Sequence, residues 1–276
     1  QIEIEFEDIQ EIPIEALFTF LPPELADIQL MGGYDFRSGQ KVDQQRLIDA
    51  MTLSLTRQKS SLQEIVNYAR PYLLQELETV NQSSFAKSLA ETLLYRFQQW
   101  RSLKATDNKP VIDDSLYNEW SMWAALGYGQ LPYDLVLTNQ LIASVEYYDQ
   151  DVHSALRGGV VAGTTSYNKN SRYGTYIFWS TFLYSNDYET LIQLRGGERY
   201  KEEEAAHLAG AALTHEIGHQ LFRLGHPFGS AGCVMRPVEL FKFRQWYTQL
   251  DANQCGIESN PGMEVNSIPI LYNTIW

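Results

Sequence analysis

Residues 213–226 read Leu-Thr-His-Glu-Ile-Gly-His-Gln-Leu-Phe-Arg-Leu-Gly-His. His215 and His219 stand four apart, with Glu216 next to the first. On a helix, residues four apart lie one above the other, so two imidazoles at that spacing can grip one zinc ion. Glu216 is rotated from His215 by about 100°. It would stand beside such an ion rather than on it, placed to take a proton from a water that zinc has acidified. A catalytic zinc usually takes a third protein ligand and leaves one position open. His226 is the candidate, and Gly225 is expected to take a positive φ, end the helix and turn His226 back. Three of the chain's five histidines thus fall within residues 215–226. The bare motif is only a moderate signal; a credible helix, the helix-ending glycine and the third histidine make it specific. As ordinary core, the stretch would bury unpaired imidazoles beside a carboxylate, which is costly without a metal.

These residues need a helix, and residues 201–224 read as one. Glu202, Glu203 and Glu204 occupy its first turn, at the positive end of the dipole. Leu213, Ile217, Leu221 and Leu224 share one face and the histidines roughly the other, with small Ala211, Ala212 and Gly218 allowing close approach. Upstream, residues 134–143, 158–165 and 174–180 read as strands, the last two joined by a polar loop with Asn168, Asn170 and Ser171. Residues 42–103 carry helical periodicity (Leu47, Met51, Leu55; Leu89, Leu93, Phe97), broken near Pro71 and residues 81–84. Residues 2–9 alternate apolar and acidic, as a half-buried strand does, and residues 104–110 are the best boundary. The expected architecture is α+β: a mixed twisted sheet packed on the active-site helix, with an added N-terminal helical layer. It forms a single domain of residues 1–276, divided into 1–110 (strand plus helices), 111–224 (sheet and active-site helix) and 225–276 (a small C-terminal subdomain with a helix at 238–250).

The stretch from His215 to Met235 resembles the metzincin clan of zinc peptidases. That clan carries His-Glu-x-x-His-x-x-Gly-x-x-His and then a methionine-containing turn under the metal. Cys233-Val-Met235 matches the turn and is most like the archaemetzincin branch. Phe222 stands where the clan has its glycine, and the third histidine comes one residue late. The resemblance implies a zincin-like fold, one zinc held by His215, His219 and His226, Glu216 as general base, and Met235 as a structural floor. It implies a zinc-dependent endopeptidase acting on peptides or proteins. Archaemetzincins also bind a second zinc through four cysteines. With two cysteines only, Cys233 and Cys255 are instead expected to form a disulfide.

Other readings stay open. Glu239 could be the third ligand, as in gluzincin-type peptidases. The chain could be a catalytically silent binding protein on a zincin fold, though the intact Glu216 argues against silence, or a zinc hydrolase acting on another bond. Pro237 stands where some metzincins carry an oxyanion-steadying tyrosine; Tyr247 is a weak substitute. His207 reads as structural and His153 as a surface or loop residue. The net charge of −13 repels phosphate backbones, so no nucleic-acid partner is expected. No apolar run approaches a membrane span. Two cysteines 22 positions apart could form one disulfide in an oxidising compartment or stay as thiols in the cytosol, and on that compartment logic an extracytoplasmic protein is expected. A monomer is expected. An exposed strand edge is the usual seat for an extended peptide, and residues 158–165 with 174–180 are the candidates.

Overall fold

A computed structural model describes residues 11, 13–22, 43–102, 116–144, 147, 150–167, 171, 173–239, 241–251 and 254. The short helix α1 (Ile14–Phe18) precedes the helical layer. That layer holds α2 (Gln44–Arg57), α3 (Leu62–Ala69), a 3-10 turn at Arg70–Tyr72 and α4 (Gln82–Arg101). The starts of these helices are fixed locally. Asp43 caps α2, Ser61 and Glu64 form a capping box on α3, and Asn81 caps α4. The periodic residues Leu47, Met51, Leu55, Leu89, Leu93 and Phe97 are all buried, as the spacing predicts. Pro71 falls in the 3-10 turn, where the α-helix cannot continue. The proposed strand at residues 2–9 and the boundary at 104–110 lie outside the described residues.

Next come β1 (Leu116–Asn118), α5 (Glu119–Gly129), β2 (Leu135–Thr138), β3 (Leu141–Ala143), α6 (Val152–Leu156), β4 (Val160–Val161), β5 (Gly163–Tyr167) and β6 (Thr175–Ser180). Helices α7 (Phe182–Ser185), α8 (Glu189–Leu194), α9 (Glu202–Phe222) and α10 (Phe243–Gln249) complete the order. The chain is α+β. Among the described residues the strands form two small sheets, β1–β3–β4 and β2–β6–β5, each with one parallel and one antiparallel pairing.

Two strand expectations need correction. Residues 134–143 are two strands in different sheets: β2 pairs with β6 and β3 with β1. The chain turns at Asn139 and Gln140, where Thr138 Oγ1 accepts from the Gln140 N–H at 3.1 Å. Residues 158–165 split in the same way. Gly158 and Gly159 have φ of 73° and 83° and make the turn after α6. A Cβ on Gly158 would stand 2.7 Å from the Phe97 nitrogen, so only glycine lets this turn approach α4. Beyond it, β4 joins one sheet and β5 the other.

One apolar core runs from Leu47 and Phe85 through Trp100, Leu156 and Trp179 to Leu208, Ala212 and Trp246. The helical layer and the ligand-bearing helix α9 therefore bury their apolar surface together. A second cluster, with Leu17, Met122, Trp123, Ile142 and Phe178, fills the space between α1, α5 and strands of both sheets. The C-terminal helix is shorter than expected: 243–249 rather than 238–250.

Candidate metal centre

Helix α9 is tied to the β5–β6 hairpin and its neighbours along its length. Gln220 Nε2 donates to Asp134 O at 2.9 Å and to Thr175 O at 3.3 Å. The Thr165 hydroxyl, on β5, lies 3.2 Å from Glu216 O and 2.8 Å from its Oε2. At the start of the helix, Arg244 of α10 meets Glu204 at 2.6 Å and Glu198 at 3.2 Å. The apolar spacing is met in part: Ile217 and Leu224 are buried and Leu213 packs against the core. Leu208, Ala212, His215, Glu216, Ile217, Gly218 and Gln220 are buried, whereas Leu221 is 39% exposed. The helix is thus buried on the side of Glu216 and Gln220 as well, and Leu221 is the stripe residue left in solvent.

The helix ends at Phe222, and Arg223, not Gly225, takes the left-handed conformation, with φ 56° and ψ 36°. This corrects the turn expected at Gly225. The Arg223 N–H bonds His219 O at 3.2 Å, the 5→1 bond of an αL helix end, and the Leu224 N–H bonds Gly218 O at 3.3 Å. A left-handed non-glycine residue costs about 1–2 kcal/mol; here Arg223 Nη2 also donates to Tyr173 O at 2.9 Å. The turn falls one residue after Phe222, matching the one-residue delay of His226. The helix is one residue longer, and the third histidine moves with its end.

His215, His219 and His226 come together. Their Nε2 atoms form a near-equilateral triangle with sides of 3.1, 3.0 and 3.0 Å. His215 Nδ1 donates to Val234 O at 2.8 Å and His219 Nδ1 to Leu224 O at 2.5 Å. A carbonyl can only accept, so both Nδ1 atoms carry their protons, and both Nε2 atoms face each other as bare lone pairs. A cation between them relieves that repulsion. Nitrogens sharing one tetrahedral zinc at 2.0–2.1 Å lie about 3.3 Å apart, close to the observed triangle. The three histidines can therefore hold a metal ion, and neutral imidazole suits zinc. Burial holds all three below the ordinary histidine range, His219 at about 4, so protons do not compete for these sites near neutrality.

Glu216 is 7% exposed. Burial pushes its carboxyl up to about 7, against the Thr165 hydrogen bond, which favours the charged form. Gly163 makes room for it: a Cβ there would stand 2.9 Å from Glu216 Cγ and 2.6 Å from the Trp179 ring. Beneath the helix, a Cβ on Gly218 would run into Met235, whose Cε would lie 3.1 Å away. Met235 is buried with Leu224 and Cys233, and its N–H points to Cys233 Sγ at 3.3 Å. Cys233 is disulfide-bonded; Cys255 lies outside the described residues.

No family model, curated protein or solved structure matches this chain.

Glu239 stands apart from the triangle. It accepts from the Tyr72 hydroxyl and lies 3.4 Å from Arg236 Nη2. The only three-residue group of metal-competent side chains among the described residues is the histidine triad. His207 and Tyr247 are exposed. His153 is the clearest miss. It sits in α6, half-buried, with its ring edge-on to His226 at 4.8 Å between centroids and its Nε2 3.2 Å from Asp151 Oδ2. A local signal was present: Asp151 and Ser154 form a capping box, which marks a helix start rather than a loop. Glu119 was also missed. It is buried, and desolvation raises its carboxyl to about 7.

Proposed function

We propose that the protein is a zinc-dependent endopeptidase of metzincin-like character. The observation that carries this reading is the triangle of Nε2 atoms, two of them bare, with a buried carboxylate on Glu216 of the same helix. When bound by His215, His219 and His226, zinc supplies Lewis acidity, lowering the pKa of water toward about 7 and polarising a carbonyl. The protein's own groups account for the proton. Glu216 Oε2 is held by Thr165, while Oε1 meets no donor among the described residues. A carboxylate raised to about 7 is poised to accept a proton from the attacking water and return it to the leaving amine. Met235 and Val234 position the helix and His215 from below.

Strand β5 supports a peptide substrate. Among the described residues it is an edge strand of its sheet, whereas β6 is central and buried. An extended peptide can pair antiparallel with that edge beside Glu216. The Cys233 disulfide supports an extracytoplasmic location. No helix among the described residues is long and apolar enough to cross a membrane. A gluzincin-type centre is disfavoured by the engagement of Glu239 with Arg236 and Tyr72.

The test joins metal analysis to cleavage of a peptide library. The expected result is about one zinc per chain, and a loss of at least about 10²–10⁴-fold in rate for Glu216→Gln with zinc retained. A chain that takes up no zinc when zinc is supplied would overturn the reading. Zinc without cleavage of any peptide would favour the silent binding protein or a hydrolase of another bond.

A further inference from the structure

Arg157, immediately after α6, is 9% exposed. Its backbone is pinned: Trp100 Nε1 donates to Arg157 O at 2.6 Å. Its Nε donates to His153 O at 2.8 Å. The two terminal nitrogens, with four N–H donors between them, meet no acceptor among the described residues, and the guanidinium forms no ion pair there. Buried charges are normally paired, because leaving water costs several kcal/mol per ion.

The carboxylates near it are committed elsewhere. Asp151 caps α6 through the Ser154 N–H at 2.8 Å and lies beside His153. Glu216 takes the Thr165 hydroxyl. The position is that of the metal centre. His153, whose carbonyl orients Arg157, packs against His226. The Arg157 charge acts on Glu216, His215 and His226, and on the buried Tyr68 and Tyr184.

We propose that Arg157 selects the substrate by binding a peptide carboxylate next to the scissile bond, so that this protein cleaves acidic peptides. The inference rests on the peptidase reading above. A guanidinium with both terminal nitrogens free matches a carboxylate in a two-point geometry that lysine or an amide cannot reproduce. A neutral isostere leaves the buried cation unmatched, and sites of that kind discriminate strongly. The chain's net charge of −13 repels acidic peptides at long range, so their preference must come from such a local contact. The carboxylate can belong to an Asp or Glu side chain or to a free C-terminus.

Three paired substrate sets distinguish these sources: peptides with Glu or Gln flanking the cleaved bond, with Asp or Asn there, and with a free or amidated C-terminus close to it. The wild-type protein should prefer one carboxylate member by about 100-fold or more in kcat/KM. The side-chain sets report one source and the C-terminal set the other. In Arg157→Gln that ratio should collapse toward one, and Arg157→Lys should keep part of it. Binding of the same pairs to the Glu216→Gln protein, read by fluorescence anisotropy, should show the same order without turnover. Equal kcat/KM for both members of every pair in the wild type would overturn the proposal. So would an Arg157→Gln protein that holds zinc and loses rate while keeping the ratio, since that marks a structural role. If Arg157→Gln does not fold, the wild-type ratios and Arg157→Lys decide. Failure of the underlying peptidase reading is distinguishable, because then no peptide is cleaved at all.

Discussion

Placing alanine at Gly218 tests whether the methionine turn and the metal ligands form one packed unit. In an ordinary exposed helix, Gly→Ala stabilises by about 1 kcal/mol. Here the new Cβ would overlap the Met235 thioether, and Met235 is buried at 1% exposure, so its sulfur has no solvent to move into. Overpacking of this kind costs about 1–3 kcal/mol. Against the propensity gain, the net expectation is a loss of up to about 2 kcal/mol. The more telling effect is on the metal. Val234, adjacent to Met235, fixes His215 through its carbonyl at 2.8 Å. Displacing the turn tilts that imidazole, and disturbed outer-shell partners lower metal affinity by about 10–100-fold. Chelator competition and urea unfolding of Gly218→Ala, alone and combined with Met235→Ala, measure both effects. The double variant should recover part of the affinity, because removing the thioether removes the overlap. A Gly218→Ala protein that is about 1 kcal/mol more stable, with unchanged metal affinity, would mean that helix propensity alone operates and that the packing argument is wrong.

Three further outcomes follow from the same geometry. Thr165→Val removes the hydrogen bond that favours ionised Glu216, so the acid limb of kcat/KM should move to higher pH by about one unit; an unmoved limb would separate Thr165 from the base. In the metal-free protein the buried neutral histidines have pKa values below their ordinary value, so the unfolded chain binds more protons at acid pH. Their contribution is complete above about 6.5 and drains as pH falls toward 4. Glu119 and Glu216, raised to about 7, act in the opposite sense, contributing fully below about 4.5 and losing that contribution as pH rises to 7. Four histidines against these two glutamates should lower the urea midpoint between pH 6.5 and 4.5; a flat or rising midpoint would contradict the assigned protonation states. Finally, non-reducing digestion should yield linked Cys233 and Cys255 peptides, and Cys233→Ser should cost about 3 kcal/mol on the chain-entropy model. Two freely alkylatable thiols would remove that bridge.

What the sequence determined by itself was local. The four-residue spacing of His215 and His219 needs only helical geometry to converge, and the triplet Glu202–Glu204 marks the helix start without any tertiary information. The periodicity at Leu47, Met51 and Leu55 named buried residues correctly for the same reason. Tertiary structure decided the rest. Periodicity placed Ile217 and Leu224 inside correctly but not Leu221, and only the packing of β5 and β6 against α9 buries the side with Glu216 and Gln220 as well. Residues 134–143 hold Thr138, Asn139 and Gln140 between two apolar runs, a local turn signal that a single-strand reading passes over; that β2 and β3 then join different sheets is decided by their pairing partners. The helix ends at Arg223 rather than at the permissive Gly225, because the closing hydrogen bonds from Arg223 and Leu224 back to His219 and Gly218 fix the end of the helix more strongly than glycine's freedom attracts it. His153, Thr165, Glu119 and Arg157 carry no motif spacing. They reach the metal centre from α6, β5, α5 and the turn after α6, and chain folding alone brings those elements beside the histidines.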